Sequence, residues 1–450
     1  MTILGVDDTD SRERGMCTTY LADRVAREIE SRGGRVQRRL LVRLNPAVEH
    51  KTRGNAALAL HTEHPTDAVR DIATEALAAL AETDDPRTSP GLVVADTDPE
   101  TVPDAVAEFA REALREFHTT DDAVALAESV GYEHRGWHGG RGRIGALAAV
   151  GAWRAFDEWT YEHVSYRVFD RCGTPREVDH DSVFAAAESG YPEVWDTVDR
   201  AEGESVCVPH APGPILHGVR GDDPDAVRRV ASRIDAEPVA HSATFVTNQG
   251  TDAHLRPGEI GALRDGRSYR VDGVVSAAPE TRAGGHVHLT LADEDAEDAR
   301  DARGAGDARG ARDARGAGDA RGANRLDCVA FEPTKRFRDR VRALRVGDRL
   351  TVCGEVSDGT LKLEKFAVRE SVTTELATPV CPDCDRTMES AGRGQGYRCR
   401  DCGTSAPGKT EVRIDRDLET GWYEVPPCAR RHVAKPLIRG GFDAPTHPER

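Results

Sequence analysis

Two cysteine pairs, Cys381-Pro-Asp-Cys384 and Cys399-Arg-Asp-Cys402, stand 14 residues apart near the end of the chain. They constrain its fold more than any other feature. Four thiolates complete a tetrahedral zinc site with no open position, so the spacing predicts a zinc ribbon over 377–408 whose metal is structural. The other reading, two redox dithiols, lacks a thioredoxin-like strand and helix around either pair. The remaining six cysteines are scattered, which suits a reducing cytoplasm better than a disulfide framework. No signal peptide or membrane span is visible, so the expected location is cytoplasmic.

Upstream of the ribbon, from about Arg256, the texture is that of β structure. Ser268 to Val275, His286 to Leu291, Leu326 to Phe331, Arg349 to Gly354 and Leu361 to Phe366 read as short strands, with one helix near Arg338 to Leu344. Five strands of this length predict an OB-type barrel over 256–376, a fold that commonly presents a face to single-stranded nucleic acid. A degenerate Asp-Ala-Arg-Gly-Ala-Gly repeat at 296–323 interrupts it. Without bulky apolar residues the repeat cannot offset its ordering entropy, and it reads as a disordered loop.

Residues 1–130 alternate strand-like and helix-like segments, an α/β pattern. The opening run Thr2 to Val6 reads as a buried strand that ends in Asp7, Asp8 and Asp10. It passes through Gly15-Met16-Cys17 and enters a helix, about Thr18 to Ser31, at Thr18 and Thr19. Carboxylates at a strand end can hold magnesium, and a helix start favours phosphate. The loop is not a Walker A sequence, and an acidic turn with Thr18 as an ordinary N-cap is the plainer alternative. A second α/β segment, 131–255, opens on the glycine-rich stretch 139–145, whose amides with Arg141 and Arg143 suit a phosphate better than a dinucleotide.

Net charge of −17 argues against a nucleic-acid partner at first sight. Yet lysine occurs only at 51, 335, 362, 365, 409 and 435, against 55 arginines, the pattern of a protein adapted to strong salt. At molar salt the Debye length falls to ~3 Å, so local patches outweigh net charge. Two windows lack acids altogether, His134 to Phe156 and Val425 to Phe442. Both are candidate phosphate-binding surfaces. A retained lysine marks a need for a compact ammonium. Lys51 in Lys51-Thr52-Arg53-Gly54-Asn55 would then bind phosphate beside Asp7 and Asp8, with a surface turn as the alternative. Lys362 and Lys365 read as exposed strand positions.

Taken together, Gly5-Val6-Asp7-Asp8-Thr9-Asp10, Gly15-Met16-Cys17-Thr18-Thr19, Lys51 to Asn55 and Gly142-Arg143-Ile144-Gly145-Ala146-Leu147 resemble the archaeal tRNA(Ile) 2-agmatinylcytidine synthetases. The resemblance continues through Thr160-Tyr161-Glu162, Tyr166-Arg167, Thr247 to Asp252, Gly284-Gly285-His286, Glu332-Pro333-Thr334-Lys335, the ribbon, and Trp422-Tyr423 to Leu437. It covers nearly the whole chain, the 296–323 repeat being the departure. The resemblance implies a kinase-like α/β domain, a ferredoxin-like α+β domain, an OB-fold barrel and a zinc ribbon, with 409–450 as a basic tail. It implies conjugation of agmatine to the wobble cytidine of the CAU anticodon of tRNA(Ile), at the expense of ATP with magnesium.

Carried over by position, the resemblance makes Asp7 and Asp8 ligands of magnesium and ATP, and Thr18 the threonine that becomes phosphorylated. Asp10, Gly15, Met16, Cys17, Thr19, Lys51, Arg53, Gly54, Asn55, Arg141 and Arg143 would surround ATP. Glu162 beside Tyr161 is the candidate agmatine pocket. Lys335, Arg336, Arg430, Arg431, His432 and Lys435 would grip the tRNA. A non-enzymatic single-strand-binding protein stays open as the rival, as does an RNA kinase or ligase acting on another base.

Overall fold

The computed structural model describes residues 1–51, 54–293 and 324–450. Arg53 and the 296–323 repeat therefore lie outside the described residues.

The first unit runs through β1 (Thr2–Asp7), α1 (Thr18–Ser31), β2 (Val36–Arg43), β3 (Ala56–Thr62), α2 (Thr66–Leu80), β4 (Gly91–Asp96), α3 (Asp104–Ala113), α4 (Thr120–Ser129) and, just past the expected boundary, β5 (Glu133–Gly136). The second adds α5 (Arg143–Ala155), β6 (Thr160–Arg167), α6 (His180–Gly190), β7 (Val194–Trp195), β8 (Ile215–Gly221), α7 (Pro224–Ala231) and β9 (Val239–Thr247). Their strands form one sheet in the order β5-β4-β1-β3-β2-β9-β6-β8-β7. Alternating strands and helices would favour parallel pairing. Here only β2 and β9 run parallel, and every other pair is antiparallel.

Two-residue periodicity sorts β1 between two cores. Leu4 and Val6 meet α1 and α2, while Ile3 belongs with α3 and α5. Gly5 shares the α5 face, where a Cβ would lie 2.1 Å from the Ala146 carbonyl oxygen. Only glycine lets the helix approach this closely.

The boundary near 130 is one of chain order, not of the sheet. Leu40 and Leu41 of β2 pair with Val246 and Thr247 of β9. Helix α5, which belongs to the second segment by sequence, packs on β1, β3, β4 and α3 of the first. Its residues from Gly145 to Ala152 are all buried, so the acid-free window 134–156 is largely a core helix.

The β texture after 256 folds as expected into a closed barrel. After the short β10 (Leu255–Pro257), its strands are β11 (Arg267–Thr281), β12 (Val287–Ala292), β13 (Arg325–Ala330), β14 (Arg349–Ser357) and β15 (Thr360–Glu370), with α8 (Phe337–Arg342) between β13 and β14. Pairing runs β11-β12-β13-β15-β14 and back to β11, which closes the ring. Its core is a single apolar cluster that includes Val271, Leu289, Phe337, Val352 and Phe366.

Strands β16 (Thr374–Ala377) and β20 (Thr410–Arg413) pair as a stem. The stem carries a small sheet of β17 (Glu389–Ser390), β18 (Tyr397–Arg398) and β19 (Ser405–Ala406). The expected tail, 409–450, is not detached. After β20 the chain returns as β21 (Gly421–Glu424), adds to β15, and accepts β22 (Thr446–His447) alongside. Trp422 and Tyr423 explain the return, because both bury large rings against the barrel.

Candidate active site and metal centre

A cavity of about 750 Å³ lies where the first unit, the second unit and the barrel meet. One end is built by β1. Asp7 continues the strand and faces the start of α5, where a Cβ on Gly145 would lie 2.0 Å from its Oδ2. Glycine at 145 is therefore a condition of the site. Asp8 leaves the strand with φ of 59°, and its backbone N–H donates to Asp7 Oδ1 at 2.7 Å. Burial, reinforced by the adjacent Asp8 charge, holds the Asp7 carboxyl well above its ordinary value. Burial raises Asp8 as well, although Arg141 opposes it. The Arg141 guanidinium donates to Asp8 Oδ2 at 2.6 Å.

Across from this pair, Thr18 opens α1, and its hydroxyl oxygen accepts from Thr9 at 3.1 Å. Asp10, Cys17, Thr19, Lys51, Gly54 and Asn55 also line the cavity. The Lys51 ammonium donates to the Pro46 carbonyl, and burial lowers its pKa. Gly15 and Met16 do not line it. They form the turn instead, both at positive φ, with Met16 buried against Tyr20 and Tyr166. Arg143 is likewise absent from the wall, because its guanidinium donates to the carbonyls of Gly139 and Gly140 at 3.0 and 2.9 Å.

The other end is cationic and was not foreseen as a unit. Arg43 at the end of β2 and Arg220 in β8 flank Glu162, each at 3.9 Å, and the Gln249 amide donates to the same carboxylate. Burial lowers the Arg43 pKa to about 10. His432 enters this wall from the C-terminal segment, and burial holds its imidazole well below the usual range, hence neutral. Arginine at the end of an apolar strand was the available signal for Arg43 and Arg220. Nothing in the sequence joins the two.

The Tyr161–Glu162 pairing does not survive as a shared pocket. Consecutive strand residues point to opposite faces. Glu162 faces the cavity with its charge already shared between two arginines, whereas Tyr161 packs on the cluster around Val219 and Val227.

The C-terminal cations also differ from expectation. Arg430 is buried between Asp196 and Glu424, with Glu424 at 2.7 Å. Arg431 meets Glu355 at 2.5 Å and Glu364 at 3.2 Å, and Lys435 meets Glu158 at 3.3 Å. Arg336 is held by Glu449 and by Asp199, the latter at 3.0 Å, and Lys335 lies 3.5 Å from Glu202. Arg430, Arg431 and Arg336 are thus already paired with acids of the same chain, Arg430 in the interior and the other two partly exposed, and His432 belongs to the cavity. Lys365 is not an exposed strand position. It is 1% exposed and donates to Asp252 at 2.7 Å, because the returning C-terminal segment covers β15. Lys362 keeps partial exposure and pairs with Glu355 at 3.3 Å.

Ligand atoms of Cys381, Cys384, Cys399 and Cys402 lie within 4.8 Å of one another. Asp385 and Gly403, each directly after the second cysteine of its pair, turn the chain back at positive φ. Four thiolates gathered this closely fit a tetrahedral zinc ion and leave no position for a substrate. Among the described residues no other group of three or more histidine, cysteine or acidic side chains is gathered around one point. Any cation at Asp7 and Asp8 would take its remaining oxygens from phosphate and water.

Paired, partly buried carboxylates, a hydroxyl at a helix start and an arginine around one cavity are the equipment of an enzyme that handles phosphoryl groups. Family models described as the TiaS TCKD domain, the TiaS FLD domain and the TiaS C-terminal zinc ribbon domain match residues 3–138, 140–254 and 378–418. The chain is 61% identical over 463 residues to TiaS of Haloquadratum walsbyi, a 2-agmatinylcytidine synthetase of tRNA(Ile), covering 100% of both. A crystal structure of TiaS with tRNA(Ile) and ATP matches with a TM-score of 0.85 at 36% identity, over 100% of this chain and 99% of that one. A complex of TiaS with tRNA(Ile), AMPCPP and agmatine matches with a TM-score of 0.83 at 34% identity, over the same shares. The chain belongs to the TiaS family of tRNA(Ile) 2-agmatinylcytidine synthetases.

Proposed function

We propose that the chain conjugates agmatine to the 2-position of the wobble cytidine in the CAU anticodon of tRNA(Ile), using ATP. The observation that carries this reading is the single cavity. It gathers Asp7, Asp8, Thr18 and Arg141 under the edge of a barrel, in a chain alike end to end with enzymes of that name. A carbonyl oxygen on a pyrimidine is a poor leaving group. Phosphorylation of the 2-oxygen converts it to one, after which the agmatine amine bonds to C2 while the C2–O bond breaks and phosphate departs. The modified base pairs with adenosine, so the tRNA reads AUA.

Asp7 and Asp8 would hold magnesium, a fit supported by their raised proton affinity: two adjoining carboxylates whose charges are disfavoured by desolvation and by each other are ones that a hard cation can neutralise. When bound, the ion would screen the phosphate charge. Thr18 presents its hydroxyl at the start of α1, where free backbone N–H groups favour a phosphoryl group. Arg141 orients Asp8 and adds positive charge at the same wall. Catalysis then rests on positioning and charge stabilisation. We read the first unit as kinase-like, the second as ferredoxin-like and the barrel as an OB-fold. The barrel and ribbon would receive the RNA, with zinc confined to the thiolate site. No helix among the described residues is long and apolar enough to cross a membrane, and the proposed place of action is the cytoplasm.

Nucleoside mass analysis of tRNA(Ile) with the CAU anticodon, after incubation with pure protein, magnesium-ATP and agmatine at high salt, tests this directly. The expected product is a cytidine that has gained agmatine and lost water, only with every component present. Bound but unmodified tRNA would favour a binding module instead.

A further inference from the structure

Phe117 lines the cavity yet is 53% exposed, which places it at the rim. Single exposed apolar residues are ordinary. This one differs because both flanks are fastened. The Glu116 carboxylate is held by Arg256 at 2.7 Å and Arg267 at 2.5 Å, both from the barrel side. The Asn45 amide donates to the carbonyls of Glu116 and Gly266, at 3.3 and 3.1 Å, and so ties the two segments together. On the other side the His118 ring packs on Phe109, centroids 4.2 Å apart. Gly266 has φ of 74°, and a Cβ there would lie 2.2 Å from Phe117 Cε2. One edge of the ring therefore rests on a glycine seat supplied by the barrel, and the ring is held at the opening.

We propose that Phe117 is a stacking platform that positions a base of the RNA substrate at the cavity rim. This rests on the functional reading above. Every base has a π-face, so an aromatic ring fixed by its backbone can hold one without reading its identity. The ring stands where the unit carrying Asp7 and Asp8 adjoins the barrel proposed to receive RNA. An unstacked anticodon base moving between the two passes this edge. Phe117 takes no part in the chemistry; it is a positioning residue.

Phe117→Ala, Phe117→Leu and Phe117→Trp in the full-length protein test the proposal, with Kd and KM for tRNA(Ile), KM for ATP and thermal melting as readouts. Alanine and leucine should each weaken RNA binding about 10-fold, the usual scale for one lost base stack, while tryptophan keeps it. KM for ATP and the melting temperature should stay at wild-type values in all three. Leucine restoring RNA affinity would overturn the proposal, since the ring would then only fill space. A rise in KM for ATP without an RNA effect would overturn it too, by assigning the ring to adenine. If wild type binds and modifies the RNA, an unaltered Phe117→Ala removes the platform alone. If wild type neither binds nor modifies it, the functional reading fails and the platform with it.

Discussion

The two acid-free windows, 134–156 and 425–442, look alike in the sequence and have opposite fates in the fold. In the first, acids are missing because most of the window is α5, a core helix of small residues buried from Gly145 to Ala152. Its one cation in the cavity wall, Arg141, meets Asp8 there. In the second, the cations are exported to acids from elsewhere in the chain. Arg430 finds Asp196, Arg431 finds Glu355 and Glu364, and Arg439 finds Asp222 and Glu158. Local absence of acids therefore reports neither exposure nor phosphate binding. What matters is which distant carboxylates the fold returns to the window.

Several substitutions can break this contrast. The largest effect is expected of Asp8→Asn at the first window's partner. ATP-dependent labelling should be lost while tRNA binding is kept, and normal labelling would remove Asp8 from the metal site. Next is Arg430→Ala in the second window. It strands Asp196 without its buried partner and leaves Glu424, already raised to about 7 by burial, to take up a proton, and should cost about 3–5 kcal/mol in denaturant unfolding. The salt dependence of tRNA affinity should not change. A shallower salt slope at full stability would instead return Arg430 to the RNA-binding face. Arg141→Ala should show the mirror image, a fall of about 100-fold in kcat/KM with melting nearly unchanged.

A smaller effect sharpens the contrast through pH. Burial by itself raises the Glu364 carboxyl, but its contacts with His254 and Arg431 prevail and hold it at about 2. A depressed carboxylate stabilises the fold above the unfolded value near 4.5, and that contribution disappears as pH falls towards 2. Across this window wild type should lose on the order of 2–3 kcal/mol more than Glu364→Gln, measured by urea unfolding. Smallest of all is deletion of 296–323, which on its composition should leave activity near wild type. A collapse in activity would show that the repeat contributes to folding or RNA contact.

Much of the frame was legible because local rules act within a few residues. The helix at Thr18–Ser31 has the bounds its hydroxyl start and apolar spacing predict. All five barrel strands occur where alternation and turn residues place them. The site was legible by half. Asp7, Asp8 and Thr18 lie within a dozen residues of one another, so one strand–turn–helix unit assembles them. The cationic end was illegible, because Arg43, Glu162, Arg220 and His432 come from four separate segments.

By itself, then, the sequence determined the elements, the closed thiolate site and the acidic strand end, since each rests on bonds and periodicities spanning under about 25 residues. Tertiary structure alone decided which charges face the cavity. It joined β2 to β9 and so brought Arg43 to Glu162. It folded the C-terminal segment back over β15, burying Lys365 against Asp252. A charge in a low-dielectric interior needs a partner within a few ångströms, and only the folded chain sets which residues come that near.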